Sequence, residues 1–129
     1  MIRQVIDIDG KWTVIVYYIL NYNRFKYVAD DLQRMGCEKT EVQSLYNNMV
    51  YGMVMGFTYS SPRDKVSIVG IGRHNDKAEY ISTIVHEAEH VKNAIFDYYS
   101  LDSIGEPPAY TIGYIVKRMY GVFKAFLCR

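Results

Sequence analysis

Two cysteines in 129 residues, Cys37 and Cys128, are too few to build a disulfide framework and do not form a metal-ligand pair. Long apolar runs are also missing. The longest, Trp12 to Leu20 with one Thr, is too short to span a bilayer. The first ten residues carry Asp7 and Asp9 where a secretory leader needs its apolar region. These features give the expectation of a cytoplasmic protein with no membrane partner. No charge excess is present either: 15 Lys and Arg against 14 Asp and Glu leave a net charge of +1, which argues against a nucleic-acid or polyanion partner. Repeats, low-complexity segments and linker-like stretches are absent, so residues 1–129 read as a single domain.

What is present is an apolar half of the sequence, thirteen tyrosines, and one informative stretch, His86-Glu87-Ala88-Glu89-His90. In an α-helix, residues i and i+4 lie about 40° apart around the axis and about 6 Å apart along it. Two imidazoles so placed can close on one tetrahedral zinc ion, Zn2+. Glu87 is about 100° round from His86, where it can flank the metal without binding it. There it is suited to take a proton from a metal-activated water. The bland alternative is a helix that carries two surface histidines. Ile81, Ile84, Ala88, Val91 and Ile95 form an apolar stripe on one side of this helix. His86 and His90 fall roughly opposite, facing a cleft, and Glu89 reads as a solvated charge.

Along the chain, Asp9-Gly10 predicts a two-residue hairpin turn between strands Arg3–Ile8 and Lys11–Leu20, the second of them central. Phe25, Val28, Leu32 and Met35 recur at helical spacing, and Gly36 stops that helix. Thr40 with Gln43 predicts a capping box for a second helix carrying Val42, Leu45, Tyr46 and Met49. Met49, Met53 and Met55 are read as core filling in preference to a soft binding face. Phe57–Ser60 and Lys65–Gly72 predict two strands around a Ser61-Pro62-Arg63-Asp64 turn. Asp76 and Glu79 predict a capping box for the motif helix, which runs to about Ser100. Glu106-Pro107-Pro108 opens a last helix with Ile112, Ile115, Val116, Met119, Val122, Phe123 and Phe126 on its packing face. The expected fold is α+β: a small antiparallel or mixed sheet packed on helices, with the motif helix followed by an antiparallel C-terminal helix.

Catalytic zinc usually has three protein ligands, so a third is needed. Asp97 lies about 10 Å beyond His90 along the helix, and Asp102 about 15 Å from the metal with too few residues to return. From Ser100, the six residues to Glu106 can span about 20 Å, enough to bring Glu106 back to the histidines. The helix N-terminus there would favour an ionised, ligating carboxylate. The other reading of Glu106 is a charge that complements the helix dipole. His74, in the loop before the motif helix, is a further possible ligand.

With these residues the sequence resembles the gluzincin type of zincin metallopeptidase, over roughly Lys65 to Phe126. It is also similar to short zincin-like proteins of bacterial phages and mobile elements. The resemblance implies a zincin-like domain, His86, His90 and Glu106 as zinc ligands, and Glu87 as general base. It implies that Tyr110, one turn after Glu106, hydrogen-bonds a ligand or steadies the oxyanion. Glu89 and Lys92 depart from the zincin pattern, in which those positions are usually uncharged and apolar, and the spacing from His90 to Glu106 is short. The expected function is a small metallopeptidase acting on a peptide or protein substrate, extended along a strand edge such as Lys65–Gly72. Two alternatives stand beside it. One is a non-catalytic zincin-fold interaction protein with a tyrosine-rich surface; the other is a structural metal site that His74 closes.

Overall fold

A computed structural model describes residues 2–18, 23–51 and 55–126, with side chains described up to residue 122. Four strands and four helices follow in the order β1 (Ile2–Ile8), β2 (Trp12–Tyr18), α1 (Phe25–Arg34), α2 (Lys39–Val50), β3 (Gly56–Ser61), β4 (Val66–Ile71), α3 (Lys77–Tyr98) and α4 (Glu106–Phe126). The fold is α+β, as the residue pattern predicts. The end of the second predicted strand, Met53 and Cys128 lie outside the described residues, as do the side chains of Phe123 and Phe126.

The first hairpin differs from expectation by one residue. Asp9 and Gly10 both take positive φ, 53° and 68°, as a tight turn requires. Pairing nevertheless resumes at Ile8↔Trp12, so Lys11 belongs to the connection. The reason lies in the core. Directly paired residues share a face, and this register places Trp12 beside Ile6 and Ile8 in the interior; a two-residue turn would put Lys11 there.

The sheet order is β1-β2-β4-β3, with β2 and β4 parallel and the outer pairs antiparallel. Side chains alternate along β2 and β4 between two separate cores. Val14, Val16, Tyr18, Val69 and Ile71 pack against α3 and α4. Tyr17 and Ile68 face the other way, onto Phe25, Val28 and Leu32 of α1 and Val42 of α2. The sheet is thus the middle layer of three. Tyr80 ties the two helices of the first core together by donating its hydroxyl to the Met119 carbonyl at 2.9 Å. Tyr80 also takes the buried place at that level of α3, leaving the expected core residue Ile81 exposed.

The capping prediction for the second helix is corrected as well. Helix α2 begins at Lys39 with Glu38 as its N-cap, and no side chain caps it. The Val42 N–H closes the first turn on the Glu38 carbonyl, because Val42 is the residue the helix anchors in the core. Gln43 instead donates to Asn47 one turn on. For α3 the prediction holds at Asp76, whose carboxylate accepts from the Ala78 N–H at 2.8 Å.

Gly70 is fixed by its neighbour across the ladder. A Cβ there would stand 2.2 Å from Phe57 Cε1, inside a ring that packs on Phe25. Replacing a strand glycine by alanine ordinarily helps or is neutral. Here overpacking outweighs that gain, and Gly70→Ala is expected to cost about 1–3 kcal/mol. Urea unfolding of the purified variant checks it; an unchanged or raised midpoint would show that the ring has room to move.

Candidate metal centre

Helix α3 carries the motif in its middle, flanked by its best-packed turns. Ile84, Ala88, Val91 and Ile95 bury their side chains in the first core and fix the rotation of the helix. That rotation leaves His86 and His90 exposed on the far side. Their Nε2 atoms stand 3.2 Å apart, with ring centroids 4.8 Å apart. Two neutral imidazoles come that near by sharing either a proton or a metal ion.

Glu87 departs from the open flanking position expected of it. It is only 5% exposed, pressed against β3. Thr58 of β3 donates its hydroxyl to Glu87 Oε1 at 2.8 Å. The other oxygen, Oε2, lies over Gly56, where a Cβ would meet it at 3.1 Å and Thr83 Cγ2 at 3.0 Å. Glycine at 56 therefore lets the strand lie close on the helix and leaves space for the carboxylate. The strand beside the motif is β3 and not the expected Lys65–Gly72. The sheet order buries β4 between β2 and β3, so β3, not β4, is an edge strand among the described residues.

The two departures from the zincin pattern meet each other. Lys92 is 5% exposed, and its Nζ pairs with Glu89 Oε1 at 2.9 Å. Glu89 is thus half-buried and paired, not the solvated charge that the wheel suggested. Lys92 Nζ also donates to the Ser103 carbonyl at 3.4 Å. A buried ammonium needs such a partner, and the pair lets a cation occupy an otherwise apolar site. It also pins the α3–α4 connection beside the helix just past His90.

The remaining candidates fall as follows. His74 is 1% exposed, with Nδ1 at 3.0 Å from the Gly72 carbonyl and Nε2 at 2.9 Å from Thr83 Oγ1. A carbonyl only accepts, so Nδ1 donates to Gly72, and Nε2 shares a hydrogen bond with the Thr83 hydroxyl. Both ring nitrogens are occupied in holding the loop onto α3. Glu106 is exposed in the first turn of α4. Asp97 is exposed, and Asp102 accepts from the Ile104 N–H at 3.0 Å. Tyr110 lines a groove with Tyr99, Tyr114 and Ile95, a groove whose lining includes neither motif histidine. Burial pushes the Cys37 thiol up to about 11, with Glu41 adding to the shift, so it is a poor ligand at neutral pH. Among the described residues, no third His, Cys, Asp or Glu is gathered with the histidine pair into a metal-holding group. Also among them, no helix is long and apolar enough to cross a membrane.

The histidine spacing was legible from the motif; Thr58 and Gly56 were not. A glycine two residues before a threonine in a strand carries no local sign that both will meet a carboxylate of a later helix. Compared with known proteins, the chain matches no family model, no curated protein and no solved structure.

Proposed function

We propose that the chain is a zinc-dependent hydrolase of peptide bonds, with the metal held by His86, His90 and Glu106 and with Glu87 as general base. The observation that carries this reading is the 3.2 Å approach of the two Nε2 atoms on a helix whose intervening Glu87 is buried against β3. Ligands at about 2.0–2.1 Å on a tetrahedron stand about 3.3 Å from each other. The separation of the two ring nitrogens matches that between two corners of such a site. Bound zinc would supply a polarised carbonyl and a water of pKa near about 7.

The rest is the work of the chain. Glu87, held through Oε1 by Thr58, has Oε2 to accept the proton of the attacking water and to return it to the leaving amine. The place of β3 at an edge of the described sheet supports an extended substrate paired as an added strand. His74 has both nitrogens engaged, which favours an open fourth position over a closed structural site. Glu106 as third ligand rests on the reach of the connection from Ser100 alone, since the Lys92–Ser103 bond lies about 200° round the helix from His90.

Glu106→Ala is accordingly expected to weaken zinc by at least about 10-fold, the loss typical of even an outer-shell partner. Asp97→Ala should leave the affinity unchanged. Competition with a chromogenic chelator reads both, and the reverse order would remove Glu106 from the site. The activity itself is tested by incubating the parent with a diverse library of unstructured peptides, with one equivalent of zinc or with chelator. Zinc-dependent cleavage is expected. A zinc-loaded protein that cleaves nothing would turn the reading towards a binding protein.

A further inference from the structure

A groove of about 920 Å³ opens between the β1–β2 turn, the last turns of α3 and the first turns of α4. It is separate from the histidine site. Ile95, in its floor, is nine residues from His86 and so about 180° round the helix. The walls are tyrosines: Tyr99, Tyr110 and Tyr114. Tyr110 is 73% exposed, and α4 packs into the core through Ile115 and Met119, so helix packing does not account for the ring. Single exposed aromatics need no explanation, but several converging on one groove mark a binding surface.

The mouth of the groove decides what it suits. Asp7 and Asp9 contribute carboxylates from the turn, against the single ammonium of Lys11. The turn itself is firm: Asp7 Oδ2 accepts from the Gly10 N–H at 3.1 Å, and Tyr99 donates its hydroxyl to the Lys11 carbonyl at 2.9 Å. Tyrosine faces attract cations, by about 0.5–1 kcal/mol at exposed sites. Carboxylates beside them hold a guanidinium through paired hydrogen bonds and repel an anion. We propose that this groove binds an extended peptide segment carrying an arginine next to an apolar residue. The guanidinium sits between Asp9 and the Tyr110 ring, and the apolar side chain lies over Ile95. The inference does not depend on the zinc site.

Fluorescence anisotropy tests it with a fluorescein-labelled heptapeptide in which two arginines flank a leucine, in chelator so that no hydrolysis intervenes. Saturable binding with Kd of about 10–100 µM is expected, the range of a weak peptide contact. Tyr110→Ala and Asp9→Asn should each weaken it about threefold or more, in line with one cation–π or charged contact. Asn tolerates the positive φ of Asp9, so the turn is kept, and unchanged melting confirms folding. The same peptide with citrulline in place of arginine should bind several-fold more weakly. Equal binding of the citrulline peptide, indifference to both variants, or no binding at 1 mM peptide would each overturn the proposal. So would sedimentation showing that this face joins two copies of the chain.

Discussion

Glu87→Gln is expected to slow hydrolysis by about 10²–10⁴-fold, the usual cost of losing a general base. The fold should survive the change. Glutamine keeps the length of the side chain and a carbonyl oxygen that can accept from Thr58 as Oε1 does now. What it cannot do is take a proton at neutral pH. Zinc affinity should also stay near that of the parent, because the reading gives Glu87 no place among the ligands. Single-turnover rates of parent and variant on one cleaved peptide, at equal zinc loading, check the prediction. Equal rates would assign the base elsewhere and leave the buried carboxylate as a packing device between α3 and β3.

His86→Ala and His90→Ala should each abolish stoichiometric zinc binding, since two donors cannot hold what three hold. The stability effect depends on conditions in a way that separates metal from packing. Both histidines are exposed, and alanine is the better helix former, so without metal either substitution should change stability by no more than about 0.5 kcal/mol. With free zinc at a hundred times Kd, the parent gains about 2.7 kcal/mol from mass action, and the variants gain nothing. Urea unfolding with and without zinc reads the difference directly. If both variants keep the full zinc-dependent shift, the motif is not the site, and the 3.2 Å approach is a shared proton between two surface rings.

The elements that the sequence made legible are those whose cause is local. Asp9-Gly10 needs positive φ, Gly36 follows the last periodic residue of α1, and Asp76 caps α3; each can be read within a few residues. The i, i+4 histidines belong to this class too, because helical geometry alone brings their nitrogens together. Strand order does not. β4 is buried on both faces and reads as a strong strand, but nothing in Val66–Ile71 says that β3 will lie outside it. The burial of Glu87 depends on that order, since its partners Thr58 and Gly56 belong to β3. The same holds for Lys92. Its place in the helix wheel is apolar, and only the return of the α3–α4 connection to Ser103 with the Glu89 pair explains a cation there. The extra residue in the first hairpin was hidden for a related reason. The turn chemistry fits two residues, and the core's demand for Trp12 sets three.

The most direct measurement is zinc K-edge X-ray absorption on protein loaded with one equivalent of zinc and dialysed against metal-free buffer. The account predicts about one zinc retained per chain, with two imidazoles at about 2.0–2.1 Å, the remaining donors oxygen, and no sulfur. It also predicts that the imidazole scattering is lost along with the metal in His86→Ala. A chain that retains no zinc, or a spectrum with sulfur in the first shell or without imidazole, would contradict it.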